Sequence, residues 1–555
     1  MVDMSEVPIL ILKEGTSRSR GRNAQRSNIM AAKVLAETVR STIGPRGMDK
    51  MLVAGMGDIV ITNDGATIMK EMDVQNPAAK MLVEVAKTQD SEVGDGTTTS
   101  VVLAGELLAG AESLLDRDVH PNVIISGYQD AAQKALEILH KIAVDIKPSD
   151  EGQLKQIALT SLNTKGIFGS QKHFAELAVE AIQHVMEKRG TTIKADIDLV
   201  KVMKKNGQSL EESELVNGII IDKEVSHSQM PKSVTDARIA LLNAKLEIEK
   251  TEMDAKININ KPEEMLAFIH EEENMLKDMV EQVAKTGANV LFTEKGIDDQ
   301  ALAILAKKGI LTVKNVSSND MEKLAKATGG SVVGTTKDLS KTALGQAKLV
   351  EEMRIGDDKL VYVREGRNPK AVTIMIRGGS EHVVDEAERS LHDALCVVRN
   401  AVEDGKILAG GGAPEAELAQ RLKDYAVKVG GREQLAVTAF AEALEAVPVA
   451  IAQNAGFDPI DVMVELRAKH NTAANLWYGV NVSTGKASDM WKMNVIEPLR
   501  VKTQVIKSAI EAVTMLLRVD DVIASKAPPA GGSGGPPGMP PGMPPGGMGG
   551  MGMGM

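Results

Sequence analysis

The stretch best suited to chemistry is Gly94-Asp95-Gly96-Thr97-Thr98-Thr99, which opens an apolar helix over Ser100 to Leu107. Glycines let a backbone approach a ligand closely, and a helix N-terminus presents free N–H groups and the positive end of its dipole. Three threonines add hydroxyl donors, and Asp95 stands where a carboxylate could hold a magnesium ion that bridges phosphates. The same residues would equally make an ordinary capped helix start after a tight turn. Two more turns are of this kind, Gly44-Pro45-Arg46-Gly47-Met48-Asp49-Lys50 and Gly410-Gly411-Gly412-Ala413-Pro414-Glu415. Pro414, early in a helix after Gly412, marks an N-terminus bare of side chains and a further candidate anion site.

Asp393 lies on a long helix from about Glu381 to Val402, where Val384, Ala387, Leu391, Leu395, Val398 and Val402 form one apolar stripe. Two residues beyond Leu391 is about 200° round the helix, so Asp393 is off that stripe. It faces either solvent or a cleft, where it could act as a general base or orient a water. Met265, Ile269, Leu276, Met279 and Val283 also fit a helical stripe, most simply a core face, although flexible Met side chains suit adaptable apolar recognition. Other motifs fail on inspection. Gly479 to Ala487 resembles a phosphate-binding Walker A loop but has five residues between its glycines and Ala for Ser/Thr. His270-Glu271 starts like a zinc-protease motif without the second His.

The elements that must carry these residues follow from periodicity. Residues from about 25 to 145 read mainly helical. Gly57 to Ile68 reads as strand, Asn-Asp-Gly turn, strand. A mixed, charged region follows from about 150 to 215. From about 216 to 368 short strands alternate with helices, at Val216 to Ile221, Ile239 to Leu242, Val290 to Phe292, Ile310 to Val313, Ser331 to Val333 and Leu360 to Val363. Strand Ala371 to Ile376 precedes the long helix, and Lys406 to Lys526 is helical again apart from a strand-rich Leu476 to Val482. Helical ends around a mixed middle suggest nested insertions.

Composition bounds the function. At 555 residues the chain is too long for one core. Lys plus Arg number 65 against 76 Asp plus Glu, a net charge of -11 that argues against a nucleic-acid partner. Twelve aromatic residues leave little for base stacking, and the basic run Ser17 to Arg26 reads as a solvated or intersubunit arm. The single Cys396 excludes a disulfide framework and suits a reducing cytoplasm. The early apolar run Pro8 to Leu12 is far short of the ~20 residues needed to cross a bilayer, so no membrane role is expected. Ala527 to Met555 holds twelve Gly, eight Pro, six Met and no charge, the composition of a disordered tail.

Read together, the turns resemble the nucleotide motifs of the group II chaperonins, and most closely archaeal thermosome subunits. The resemblance rests on Gly44 to Leu52 (GPRGMDKML), Thr62 to Ile68 (TNDGATI), Gly94 to Thr99 (GDGTTT), Gly410 to Glu415 (GGGAPE), Tyr478 to Val482 (YGVNV) and Asn494 to Lys502 (NVIEPLRVK). These motifs stand in family order from about residue 5 to 526. The resemblance implies a multidomain α/β chaperonin fold. A mainly α-helical equatorial ATPase domain would comprise 1–146 and 405–526, and a mixed intermediate domain 147–216 and 369–404. An α/β apical domain would comprise 217–368, with Met253 to Val283 as a helical lid protrusion and 527–555 as tail.

It further implies that Asp95 is the magnesium ligand, that Gly96, Thr97, Thr98 and Thr99 surround the phosphates of ATP or ADP, and that Gly44, Pro45 and Gly411 line the nucleotide. Glu497 would meet the ribose hydroxyls, and Lys165 would sense the γ-phosphate. Asp393 would orient or activate the attacking water, with Asp64 close to the same water and metal. The implied function is an ATP-dependent, cytoplasmic chaperonin that encloses non-native polypeptides. Its two stacked eight- or nine-membered rings, homo-oligomeric or shared with a paralogue, would need no separate lid protein. An ATP-independent holdase and a small-molecule phosphotransferase are the alternatives. The set Asp64, Asp95 and Asp393 speaks against the first, and the lack of an identifiable acceptor site against the second.

Overall fold

A computed structural model describes residues 16–53, 57, 59–167, 169–190, 192–248, 262–356, 358–367 and 371–525. The expected tail, the run Pro8 to Leu12 and the first part of the protrusion, 253–261, lie outside the described residues. The described residues form two compact units, one from 16–25 with 519–525 and one within 26–518. In the first, strands Thr16–Arg20 and Asp521–Ser525 pair antiparallel, Thr16 opposite Ser525, and Arg18 is ion-paired with Asp521.

The second unit is built on three main apolar cores. The first gathers helices Pro77–Val93, Thr97–Leu115 and Pro121–Ile142 from early sequence with Ala413–Val429, Glu433–Leu444, Ala446–Asn454, Pro459–His470 and Leu499–Leu517 from late sequence. Tyr128 anchors it, stacking edge-on against Phe440 and donating its hydroxyl to the Leu107 carbonyl at 2.8 Å. Thr97–Leu115 and Glu433–Asn454 are long and apolar enough to cross a membrane by composition alone, yet both are packed mainly inside the protein.

The second core lies on a seven-stranded sheet. Its order is Leu311–Val313, Val290–Thr293, Ser233–Leu242, Gly345–Ile355, Asp358–Gly366, Gly218–Ile221, with Val332–Val333 alongside Ser233–Leu242. The first three strands run parallel and the rest of that path antiparallel. The helix Pro262–Lys285 docks Leu276, Val280 and Val283 into this core, so this stretch of the Met-rich stripe is a packing face, while Met275 is exposed.

The third core joins helices Glu151–Leu162, Gln171–Val185 and Glu381–Asp404 to a sheet in which Val372–Gly378 runs parallel to Val200–Asn206 and antiparallel to Glu214–Val216. The chain leaves the first core after helix Pro121–Ile142, builds part of the third, then the second, and returns through the third to the first at Leu408.

One expected element is corrected. Gly57 to Ile68 is not strand, turn, strand. Strand Ile59–Thr62 pairs with Lys50–Val53, and Gly65–Glu71 is a helix. Asn-Asp-Gly signals a hairpin turn and a helix start equally well. Thr67 settles the matter, because its N–H and hydroxyl each donate to Asp64 Oδ2 at 2.8 Å and make Asp64 an N-cap.

Candidate functional site

The Gly94–Thr99 turn is shaped by two left-handed glycines. Helix Pro77–Val93 stops at Gly94 (φ 77°), and Gly96 (φ 77°) begins Thr97–Leu115 without any side-chain cap. The first-turn N–H groups are therefore left for a ligand. Asp95 accepts from the Gly96 N–H at 2.6 Å, and Gln89 donates to the Asp95 carbonyl at 2.8 Å. A second uncapped start faces the same space at Gly412 (φ 76°), where Ala413–Val429 begins with Pro414 in its first turn.

Between them lies a cavity of about 480 Å3. Gly44, Pro45, Asp95, Gly96, Thr97, Thr98, Thr99, Lys165, Gly411 and Glu497 all line it, although they come from five separate stretches of chain. A Cβ on Gly411 would sit 2.6 Å from Met490 Sδ, and one on Gly65 would overlap the Thr98 hydroxyl, so backbone forms part of the wall by necessity. Lys502, Asn63, Ser161 and Asn481 also line the cavity, and sequence alone assigns them no role. Asn63, Asn481 and Lys502 fall within the motifs Thr62 to Ile68, Tyr478 to Val482 and Asn494 to Lys502, whereas Ser161 falls in none of them. Asn63 Oδ1 and Ser161 Oγ are buried without a hydrogen-bond partner, as expected of a pocket built around a polar ligand.

Asp64 and Asp393 do not line the cavity. They sit behind Lys165, whose Nζ is 2.6 Å from Asp393 Oδ2 and 3.7 Å from Asp64 Oδ1. The three side chains are 8%, 5% and 9% exposed for Lys165, Asp393 and Asp64. The expectation that Asp393 faces solvent or an open cleft is thereby corrected: its helix is packed on more than one side, with Asp393 through Val398 all buried. Burial pushes the Asp393 carboxyl well above the usual range, against the pull of Lys165. Burial would push Asp64 the same way, but Lys165 and the hydrogen bonds from Thr67 outweigh it and its carboxyl ends low. Lys165 stays charged, because the carboxylates overcome the cost of burying it. A carboxyl raised in this way beside a buried ammonium marks a candidate functional site.

No group of three His, Cys, Asp or Glu side chains converges as a metal cage among the described residues. A magnesium ion at Asp95 would therefore take its other ligands from phosphate oxygens and water, which is how that ion commonly binds. The cavity's size, its two bare helix starts and its unpartnered polar atoms fit a nucleotide. The Walker-like stretch is a hairpin, Tyr478–Asn481 against Lys486–Asp489, with no following helix start.

Comparison with known proteins identifies the family. The profile of the TCP-1/cpn60 chaperonin family matches residues 35–527. The chain is 56% identical over 540 residues to the thermosome subunit alpha of Archaeoglobus fulgidus, covering 96% of this chain and 99% of that one. It is 57% identical over 518 residues to a thermosome subunit of Methanopyrus kandleri, covering 93% and 95%. Among solved structures, the open-state monomer of a group II chaperonin from Methanococcoides burtonii superposes with a TM-score of 0.60. That structure is 43% identical and is covered completely by 77% of this chain.

Proposed function

The chain belongs to the TCP-1/cpn60 chaperonin family, and from that premise we propose that it is a thermosome-type group II chaperonin subunit that uses ATP hydrolysis to fold captured polypeptides. The observation that carries the reading is the meeting of all ten cavity-lining candidates in one pocket, with Lys165 reaching from its wall to Asp393.

In this reading Asp95 holds magnesium, which when bound would screen the phosphate charge and polarise the bond to be broken. The N–H groups and hydroxyls of Thr97 to Thr99 bind phosphate oxygens, with Gly96 giving them room to approach. Gly44, Pro45 and Gly411 give the nucleotide a close-fitting wall, and Glu497 meets the ribose. Lys165 now occupies Asp393, so Asp393 accepts no proton until that ammonium turns to the terminal phosphate. Once released, the burial-raised carboxyl orients a water and takes its proton, and Asp64 keeps the lysine's charge balanced from the other side.

The three apolar cores support the proposed division into an equatorial domain (1–146 and 405–526), an intermediate domain (147–216 and 369–404) and an apical domain (217–368). The helix Glu381–Asp404 carries Asp393 in the third core and packs on strand Val372–Gly378, whose Thr373 hydroxyl donates to the Gly218 carbonyl at the edge of the apical sheet at 2.9 Å. Movement of that helix would pass hydrolysis on to closure of a built-in lid. Subunits would assemble as two stacked rings of eight or nine in the cytoplasm, alone or with a paralogue, as the alpha and beta thermosome relatives suggest.

Asp393→Ala is the direct test, since Lys165 keeps Asp64 as a partner and the site should still form. The variant should bind nucleotide and assemble but hydrolyse no ATP. Unchanged turnover would overturn the assignment.

A further inference from the structure

Lys502 has no place in the chemistry described so far, yet it is buried at the cavity wall, in the first turn of helix Leu499–Leu517. That is a costly site for a cation. The N-terminal turn of a helix is the positive end of its dipole, and a buried ammonium loses its hydration. Two carboxylates compensate. Lys502 Nζ lies 2.7 Å from Glu497 Oε2 and 2.9 Å from Glu415 Oε1. The side chains of Lys502 and Glu415 are 9% and 6% exposed, whereas Glu497 keeps 21%. Of the two carboxylates, Glu497 is the one that lines the cavity.

The surrounding backbone restricts Glu497 further. It stands in strand Ile496–Pro498 opposite Leu408, and the paired strand runs on into Gly410. A side chain on Gly410 would overlap Glu497 Oε1, so the carboxylate lies against that glycine's backbone. Glu415 comes from the first turn of Ala413–Val429, just after the three glycines. One ammonium thus joins the starts of two helices and holds the Glu497 carboxylate between them.

We propose that Lys502 is a positioning residue that fixes the Glu497 carboxylate toward the ligand and thereby sets the preference for nucleotides with intact ribose hydroxyls. The inference rests on the reading that Glu497 meets the ribose. Without Lys502, Glu497 would face Glu415, a like charge, with nothing to orient it. Burial and Glu415 together already push the Glu497 carboxyl up against the opposing pull of Lys502.

The test compares ATP with 2′,3′-dideoxy-ATP, which lacks both hydroxyls, by competition binding to the assembled protein. Wild type should prefer ATP by about tenfold or more, the worth of a hydrogen bond to a charged acceptor. Glu497→Ala should abolish the preference, and Lys502→Met should reduce it to about twofold or less on the same scale. Because Lys502→Met leaves two buried carboxylates unpaired, Lys502→Met/Glu415→Gln provides a second variant with one of those charges removed, and it should lose the preference equally. A purely structural role would weaken both nucleotides alike and leave their ratio intact. If Glu497→Ala loses the preference but both Lys502 variants keep it, the positioning role is wrong and the ribose reading stands. If wild type and Glu497→Ala show the same ratio, the ribose reading itself fails.

Discussion

Replacing Lys165 with Met tests the buried charge cluster. The substitution keeps the side chain's length and removes an ammonium 2.6 Å from Asp393 and 3.7 Å from Asp64, all three groups being under a tenth exposed. Removing one partner of a buried ion pair typically costs about 3–5 kcal/mol, because the remaining charge is left without compensation. Here Asp393 can relieve part of that by taking up a proton. Its folded pKa is already raised by burial, and the variant loses the nearby charge that opposed the rise.

The sign of the pH effect follows. A carboxyl whose folded pKa lies above its unfolded value binds its proton more readily in the folded state. Stability is then greatest below the unfolded value and falls as pH rises toward the folded one, by about 1.4 kcal/mol per pH unit for one full proton. The penalty of Lys165→Met should therefore be largest in mildly alkaline buffer and shrink on acidification. Urea-unfolding midpoints of variant and wild type, compared at equal subunit concentration near pH 8 and near pH 5.5, measure this. Lys165→Met/Asp393→Asn removes the titrating group, and most of the pH dependence of the penalty should go with it. A penalty that is the same at both pH values, or equally pH-dependent in the double variant, would refute the reasoning.

Two further predictions concern Cys396. Gly94 is left-handed, and a Cβ there would collide with Cys396 Cβ and come within 2.5 Å of its Sγ. Gly94→Ala combines backbone strain with overpacking at about 2–4 kcal/mol, and its thermal midpoint should drop clearly. Gly94→Ala/Cys396→Gly should lose less than the sum of the two single changes, and simple additivity would contradict the contact. The Cys396 thiol is buried and its pKa is pushed up to about 12, mainly by burial. Iodoacetamide near neutral pH should leave the folded protein unmodified and alkylate it promptly in denaturant, while fast labelling of the folded form would contradict this packing.

Much of the cavity was legible because its parts are local. A glycine pair before Thr97, three glycines before Ala413 and a glycine-proline turn at Gly44 each announce close backbone approach without knowledge of what lies opposite. What lies opposite was less legible. Periodicity placed Asp393 off one stripe but could not reveal that its other side is buried too, because the packing partner Lys165 comes from a distant loop. Asp64 reads as a hairpin turn from sequence for a related reason. The close packing of Gly65 against Thr98 is a long-range fact that favours the helix start. Strand Gly345–Ile355 is hidden in the sequence because Lys348, Glu351, Glu352 and Arg354 mask its alternation, although it lies within the sheet. Lys502 stands within a motif but its spacing assigns it no role, since nothing there points to Glu415, which is 87 positions away.

The central claim is that nucleotide turnover at this pocket drives folding of a captured chain. The most direct measurement is the recovered activity of a chemically unfolded test enzyme incubated with this protein, with and without ATP, alongside Asp393→Ala. The account predicts recovery that requires ATP and fails in the variant, which should still capture the unfolded enzyme. Protection by capture alone, with ATP making no difference, would contradict it and leave a holdase.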